Sequence, residues 1–275
     1  MSYMRVSVFY FSGTGNTEWA VNQLYECLIN EGNECRVYNI ENEIIGLKEI
    51  IKDSDIVGFA FPIYGANMPN IMFRFLQELN HIDNGNTIKP AFIVTTAGYV
   101  DGFGPLSANR QIKTCGFKLL SYINLKLSNN VSTPLLKASI QSNDNIKIRI
   151  ERNKLVISKI VNHIITKKKY IRNIGPYLIP GYIIRKVTKK SQKDCYLSLS
   201  VNKDQCKKCM LCVNRCPTKS IIFMDGNFRF LSTCTACMRC YNFCPTNAIY
   251  HFGKYADPEI YKRYKGPPRW FIGDI

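Results

Sequence analysis

The 275-residue chain has three histidines, two tryptophans and only 20 acidic side chains against 37 basic ones. Each scarcity removes a class of explanation. His81, His163 and His251 show no ligand spacing, which excludes a histidine-built metal centre. No run of 18 apolar residues occurs, so no membrane-spanning helix is expected. Met1 to Ser12 lacks the charged lead-in, long apolar stretch and small-residue cleavage site of a secretory leader. The expected location is therefore cytoplasmic. No acid-base pair or nucleophile constellation stands out, and no catalytic residue is assigned. The apolar content, 46%, is that of a globular chain whose length allows about two domains.

Cysteine, in contrast, is plentiful and patterned. Eight of twelve fall into C-x-x-C-x-x-C-x-x-x-C-P used twice, at Cys206, Cys209, Cys212, Cys216 with Pro217 and at Cys234, Cys237, Cys240, Cys244 with Pro245. The runs are 28 residues apart and CPTKSII matches CPTNAIY, so the segment reads as an internal duplication. Three thiolates at this spacing wrap one face of an iron-sulfur cube, and the cysteine before the proline reaches the other cube. Cys206, Cys209, Cys212 and Cys244 are then expected to hold one [4Fe-4S] cluster, and Cys234, Cys237, Cys240 and Cys216 the other. Zinc is the bland alternative, but one zinc leaves four thiols idle and two leave the third cysteine and the proline unexplained. A disulfide framework suits neither the length nor the absence of a leader. Cys27, Cys35, Cys115 and Cys195 remain as buried small hydrophobes. Reduced ligands imply a reducing, oxygen-poor setting. Over residues 195 to 252 the chain resembles the two-cluster bacterial-type ferredoxins, with all eight ligands present.

Near the N-terminus, VSVFYFSGTGNTEWAVNQLYECL reads as strand, turn and helix. The turn Ser12, Gly13, Thr14, Gly15, Asn16, Thr17 offers amides and hydroxyls at a helix N-terminus, where an anion is favoured. It lacks the Gly-Lys-Ser/Thr ending of a triphosphate loop, and Glu18 stands where a dinucleotide fingerprint needs glycine. A neutral cradle for one terminal phosphate remains. Further strands are expected over Glu34 to Ile40, Asp55 to Phe61, Pro90 to Thr96 and Lys118 to Leu127. Helices are expected over Leu47 to Ile51, Pro69 to Leu79, Leu106 to Thr114 and Ser142 to Tyr170. Such alternation argues an α/β fold, a doubly wound five-stranded parallel sheet with ligands beyond the carboxyl ends of its strands.

The loop resembles the S/T-x-T-G-x-T phosphate loop of the flavodoxin family, with Ser12, Thr14, Gly15 and Thr17 in register. That resemblance implies FMN, its ring held by two further loops. The matching positions are Pro62, Ile63, Tyr64, Gly65, Ala66 and Asn67, then Thr95, Thr96, Ala97, Gly98, Tyr99 and Gly102. Tyr64 and Tyr99 are the aromatic candidates for the ring, with ordinary loop aromatics as the alternative. Trp19 is assigned to the core.

Charge is unevenly placed. Residues 1–136 carry 10 basic and 12 acidic side chains, residues 137–193 carry 15 and 2, and residues 194–275 carry 12 and 6. Two oxidised clusters and a flavin phosphate would reduce the formal +17 to about +11. The expected division is a flavin-binding domain over 1–170, a basic linker over 171–194 marked by Gly175-Pro176 and Pro180-Gly181, a small α+β ferredoxin domain over 195–252 beginning with a strand from Tyr196 to Val201, and an aromatic tail over 253–275. Such a tail more often clamps its own protein than binds a partner.

A flavin handles two electrons and a cubane one, so one chain carrying both converts between these regimes. The whole chain resembles fused flavodoxin-ferredoxin electron carriers of anaerobic bacteria and archaea. That resemblance implies low-potential electron transfer with redox partner proteins, acidic ones if the basic segment steers docking. A flavoprotein taking hydride from NADH or NADPH is the competing reading. Nucleic-acid or membrane binding is disfavoured because the basic residues interleave with Ile and Val that a fold buries.

Overall fold

The computed structural model describes residues 3–81, 88–99, 104–171 and 178–267. Its first part runs β1 (Arg5–Tyr10), α1 (Asn16–Asn30), β2 (Glu34–Asn39), α2 (Leu47–Asp53), β3 (Ile56–Pro62), α3 (Asn70–Leu79), β4 (Lys89–Ala97), α4 (Gly104–Thr114), β5 (Phe117–Lys126), α5 (Asn143–Ile165) and β6 (Tyr170–Ile171). The six strands form one parallel sheet in the order β2-β1-β3-β4-β5-β6. Alternation decides which residue faces which layer. Val6 and Val8 pack under Leu24 and Leu28 of α1 and Ile157, Ile160 and Val161 of α5. Phe9, Phe59 and Phe61 point the other way, onto Met72, Phe75 and Leu76 of α3 and Ile112 of α4. The central strand β3 is buried along its whole length, as a strand covered on both faces must be. Trp19 lies in the first of these cores.

Two expectations need correction here. The sheet has six strands, not five, because α5 stops before Tyr170. Ser142 caps its start by accepting from Asn145 N at 3.3 Å. Its end comes at Ile165, where Lys167 adopts a left-handed φ of 51°. Tyr170, stacked on His163, is then free to pair with Ser121. The second correction concerns Pro180-Gly181, which does not break the chain. α6 (Leu178–Lys193) runs through it, with Pro180 in the first turn, where a missing N–H removes no helical hydrogen bond. Gly175-Pro176 lies outside the described residues.

The second part is smaller. A short 3-10 turn at Cys195–Ser198 shortens the expected strand to β7 (Leu199–Val201). There follow α7 (Leu211–Asn214), β8 (Ile221–Met224), β9 (Asn227–Phe230), α8 (Arg239–Phe243) and β10 (Ile249–His251). β7 pairs antiparallel with β10, and β8 with β9 across Asp225-Gly226, both at positive φ as a tight hairpin turn requires. No helix among the described residues is long and apolar enough to cross a membrane.

The tightest point of the sheet is Gly58, where a Cβ would stand 2.3 Å from the Phe92 ring on β4. Gly58→Ala is expected to cost about 1–3 kcal/mol through overpacking, read as a lower urea midpoint at unchanged m-value.

Candidate redox centre

The turn after β1 is shaped by its own sequence. Gly15 sits at φ 102°, a conformation that strains other L residues, and its N–H donates to Ser12 Oγ at 3.1 Å. Thr17 Oγ1 and Thr96 Oγ1 share a hydrogen bond at 2.8 Å, tying the start of α1 to β4. The first-turn amides of α1 have no carbonyl partners within the helix and, with its dipole, favour an anion. Ser12, Gly13, Thr14, Asn16 and Thr17 all border one small cavity. Pro62, Ile63 and Tyr64 border it from the loop after β3, and Thr96, Ala97 and Gly98 from the end of β4. Asn129 and Asn130, beyond β5, complete its wall.

Other expected ring contacts stand elsewhere. Gly65, Ala66 and Asn67 form the outer bend of their loop and are held by α6. Thr188 Oγ1 donates to Gly65 O, Gln192 Nε2 to Tyr64 O and Arg185 Nε to Asn67 Oδ1. Thr95 turns to Tyr122 and Asn124. Tyr99 is half exposed and bonds to Ser139 at 2.8 Å, away from Tyr64. Gly102 lies outside the described residues.

The cavity fits the phosphate end of a flavin nucleotide better than its ring. Its volume is about 40 Å³, and the Tyr64 hydroxyl stands over Gly13, where a Cβ would meet it at 2.1 Å. That hydroxyl is buried without a well-formed hydrogen bond, and burial holds it protonated well above its usual range. A ring bound here needs the Tyr64 side chain to swing out.

The cysteine runs repeat in structure as well as in sequence. Lys208 N donates to Cys206 Sγ at 3.4 Å and Ala236 N to Cys234 Sγ at 3.4 Å. Ser220 N donates to Cys216 Sγ at 3.2 Å and Ala248 N to Cys244 Sγ at 3.2 Å. Lys208 and Ala236, Met210 and Met238, and Lys219 and Asn247 are all left-handed in matched positions. Backbone N–H groups aimed at sulfur stabilise thiolates, so this donor set fits an iron-sulfur cube. Burial pushes the Cys212 thiol up to about 11, helped by the neighbouring Cys244 and Cys206. It pushes the Cys237 thiol up to about 12 and raises Cys240 well above the ordinary thiol range, with Cys234 and Cys216 among the neighbours of both. Such thiols become thiolates only beside compensating cations. Of the four remaining cysteines, Cys35, Cys115 and Cys195 are buried and Cys27 is half-buried. Cys195 lies against Cys234.

The second run docks on the phosphate loop. Cys237 is buried against the aromatic face of the sheet, and a Cβ on Gly13 would approach Cys237 O to 3.2 Å. Asn130 Nδ2 donates to that carbonyl at 3.1 Å. Arg239 donates to Gly13 O at 2.9 Å, to Ser12 O at 2.6 Å and, through two nitrogens, to the Glu41 carboxylate at 2.6 and 2.7 Å. Burial opposes the charge on Arg239, but Glu41 holds its pKa above the ordinary value. A second cleft of about 400 Å³ opens on the other side of the loop, between Glu18 and Asn42 on one wall and Cys216 and Lys219 on the other. From the C-terminal segment Tyr264 reaches back, its hydroxyl donating to Asn16 Oδ1 at 2.5 Å.

A family model described as a 4Fe-4S binding domain matches residues 199–222 and 230–250. No curated protein matches the chain. Among solved structures it is similar to a flavodoxin of Fusobacterium nucleatum bound to flavin mononucleotide, at 17% identity over 60% of this chain and 99% of that one, TM-score 0.42. A flavodoxin of Megasphaera elsdenii gives 17% identity over 43% and 84%, TM-score 0.38. Rubredoxin oxygen:oxidoreductase of Desulfovibrio gigas gives 18% over 59% and 36%, TM-score 0.41. The chain joins a flavodoxin-like sheet module to a ferredoxin-type 4Fe-4S module, and an electron-transfer role follows from the latter.

Sequence reasoning missed Arg239, Glu41 and the Asn129-Asn130 pair. Arg239 carried a signal: 28 residues earlier the first run has Leu211. The Arg239–Glu41 pair is only 17% and 14% exposed, so Glu41→Ala leaves a buried guanidinium unpaired. Docking of the modules should weaken by about 2–5 kcal/mol, seen as faster hydrogen exchange across residues 234–244.

Proposed function

We propose that the chain is an electron carrier in which FMN, seated on Ser12 to Thr17, exchanges electrons with two [4Fe-4S] clusters that pass them singly to redox partner proteins. When bound, FMN supplies the two-electron chemistry that the clusters lack. The observation that carries the reading is the burial of Cys237 against Gly13, which sets the second cysteine run directly on the phosphate loop. Thr17 and the α1 amides would hold the phosphate, while Pro62 to Tyr64 and Thr96 to Gly98 would flank the ring. Crossed ligation is supported by the neighbours of each thiol. Cys212 senses Cys244 and Cys206, whereas Cys237 senses Cys234 and Cys216, and Cys240 senses these two together with Cys212.

The competing reading requires a nicotinamide to stack on an open flavin face. Here Arg185, Thr188 and Gln192 of α6 grip the loop after β3, and the cysteine module covers the cradle. Such cover favours a carrier over a hydride acceptor. Anaerobically purified protein is expected to hold about eight irons and one FMN, to stay coloured with NADH or NADPH, and to bleach with a low-potential chemical donor. Bleaching by either nicotinamide would replace the carrier with an oxidoreductase. Cys216→Ser should disturb the cluster shared with Cys234, Cys237 and Cys240; loss of the other cluster alone would refute the crossed ligation.

A further inference from the structure

The two cluster sites share a backbone but not an electrical setting. Around the first run Lys203, Lys207 and Lys208 are exposed, and so is Cys209 itself. In the second run the positions of Lys207 and Lys208 are taken by Thr235 and Ala236, and Cys237 is buried. Its positive charge comes from Arg239, which is paired with Glu41, and from the C-terminal segment. The Arg263 guanidinium lies 3.4 Å above the centre of the Tyr241 ring, beside Cys240. Arg263 Nε donates to Asn247 Oδ1 at 3.0 Å, but Nη1 and Nη2 are out of water and have no partner. No acidic side chain pairs with Arg263 among the described residues. The four N–H donors on Nη1 and Nη2, withdrawn from water and without an acceptor, are costly unless an anion accepts them. The group at hand is a thiolate-ligated cluster.

We infer that Arg263 is the buried counter-charge of the cluster held by Cys234, Cys237, Cys240 and Cys216, and that it keeps this cluster at a higher potential than its twin. The inference rests on the two-cluster reading proposed above. A fixed positive charge favours the reduced, more negative cluster and so raises its potential. The exposed lysines act on the first-run cluster through water, where the same charge at the same distance is about four times weaker than at an effective dielectric of about 20. Salt screens them as well. Arg239, tied to Glu41, positions the second-run loop with its charge largely neutralised, while Arg263 adds a charge that no carboxylate offsets. The second-run cluster is then the electron store beside the phosphate loop, and the first-run cluster, at exposed Cys209, is the exit to a partner.

The test is a redox titration of the full chain with both clusters loaded, followed by low-temperature electron paramagnetic resonance, with Cys216→Ser identifying the second-run signal. In the parent protein, raising salt to about 0.5 M should lower the first-run potential and leave the second-run potential in place. Arg263→Gln should lower the second-run potential alone at unchanged iron content, and Arg263→Lys should restore most of it. Lys208→Gln should shift only the first-run cluster, and only at low salt. Potentials that move alike with salt, or a second-run potential indifferent to Arg263→Gln, overturn the inference while leaving a two-cluster protein. If Arg263→Gln does not load, the salt titration of the parent protein decides. A parent protein with well under eight irons refutes the two-cluster reading and the inference with it.

Discussion

Arg239 brings a full charge to a place where only 17% of its side chain meets water, and everything about the meeting of the two modules follows from how that charge is accommodated. Glu41 neutralises it with two hydrogen bonds, and the carbonyls of Ser12, Gly13 and Arg215 take its remaining donors. The planar fork is what lets one side chain bind a carboxylate and three carbonyls together. Buried charge networks of this kind are unforgiving when incomplete, and so they specify one arrangement over near alternatives. Here the arrangement places a cysteine loop within van der Waals reach of the residue that a side chain larger than hydrogen would displace.

Much of this was readable from residues alone, for identifiable reasons. The cysteine runs declare themselves because iron chemistry fixes spacing, and the glycine-hydroxyl turn because helix-terminal anion sites need little else. Strands β1, β3 and β4 are mostly apolar and bounded by turns, while β2 and β5 mix apolar with polar residues. Strand β6 escapes detection because two residues have no alternation to display. Helix α6 is obscured by Pro180 and Gly181, which usually interrupt a helix but are tolerated in its opening turn. Arg239 and Arg263 look like ordinary basic residues in a basic chain. Only the packing distinguishes them from the lysines on the surface.

The concentration of charge in residues 137–193 also acquires a physical reading. α5 turns Ile157, Ile160, Val161 and Ile164 to the sheet and leaves its basic face to solvent. α6 uses Arg185, Thr188 and Gln192 to hold the loop after β3. The connection between the modules is therefore a structural brace over the candidate ring site. Its remaining lysines, among them Lys189, Lys190 and Lys193, are exposed and available to steer an encounter.

The bonds that seal the phosphate loop join residues 226 and 248 positions apart, Gly13 with Arg239 and Asn16 with Tyr264. The chain is made from its N-terminus, and domains fold as they emerge. The sheet module is complete by β6, while its closing residues still await synthesis. At about 5–20 residues per second, the roughly 100 residues between α5 and Tyr264 take some 5–20 s to appear. For that interval the cradle is formed and uncovered. The FMN proposed above would meet an open cradle during that interval and a covered one after it.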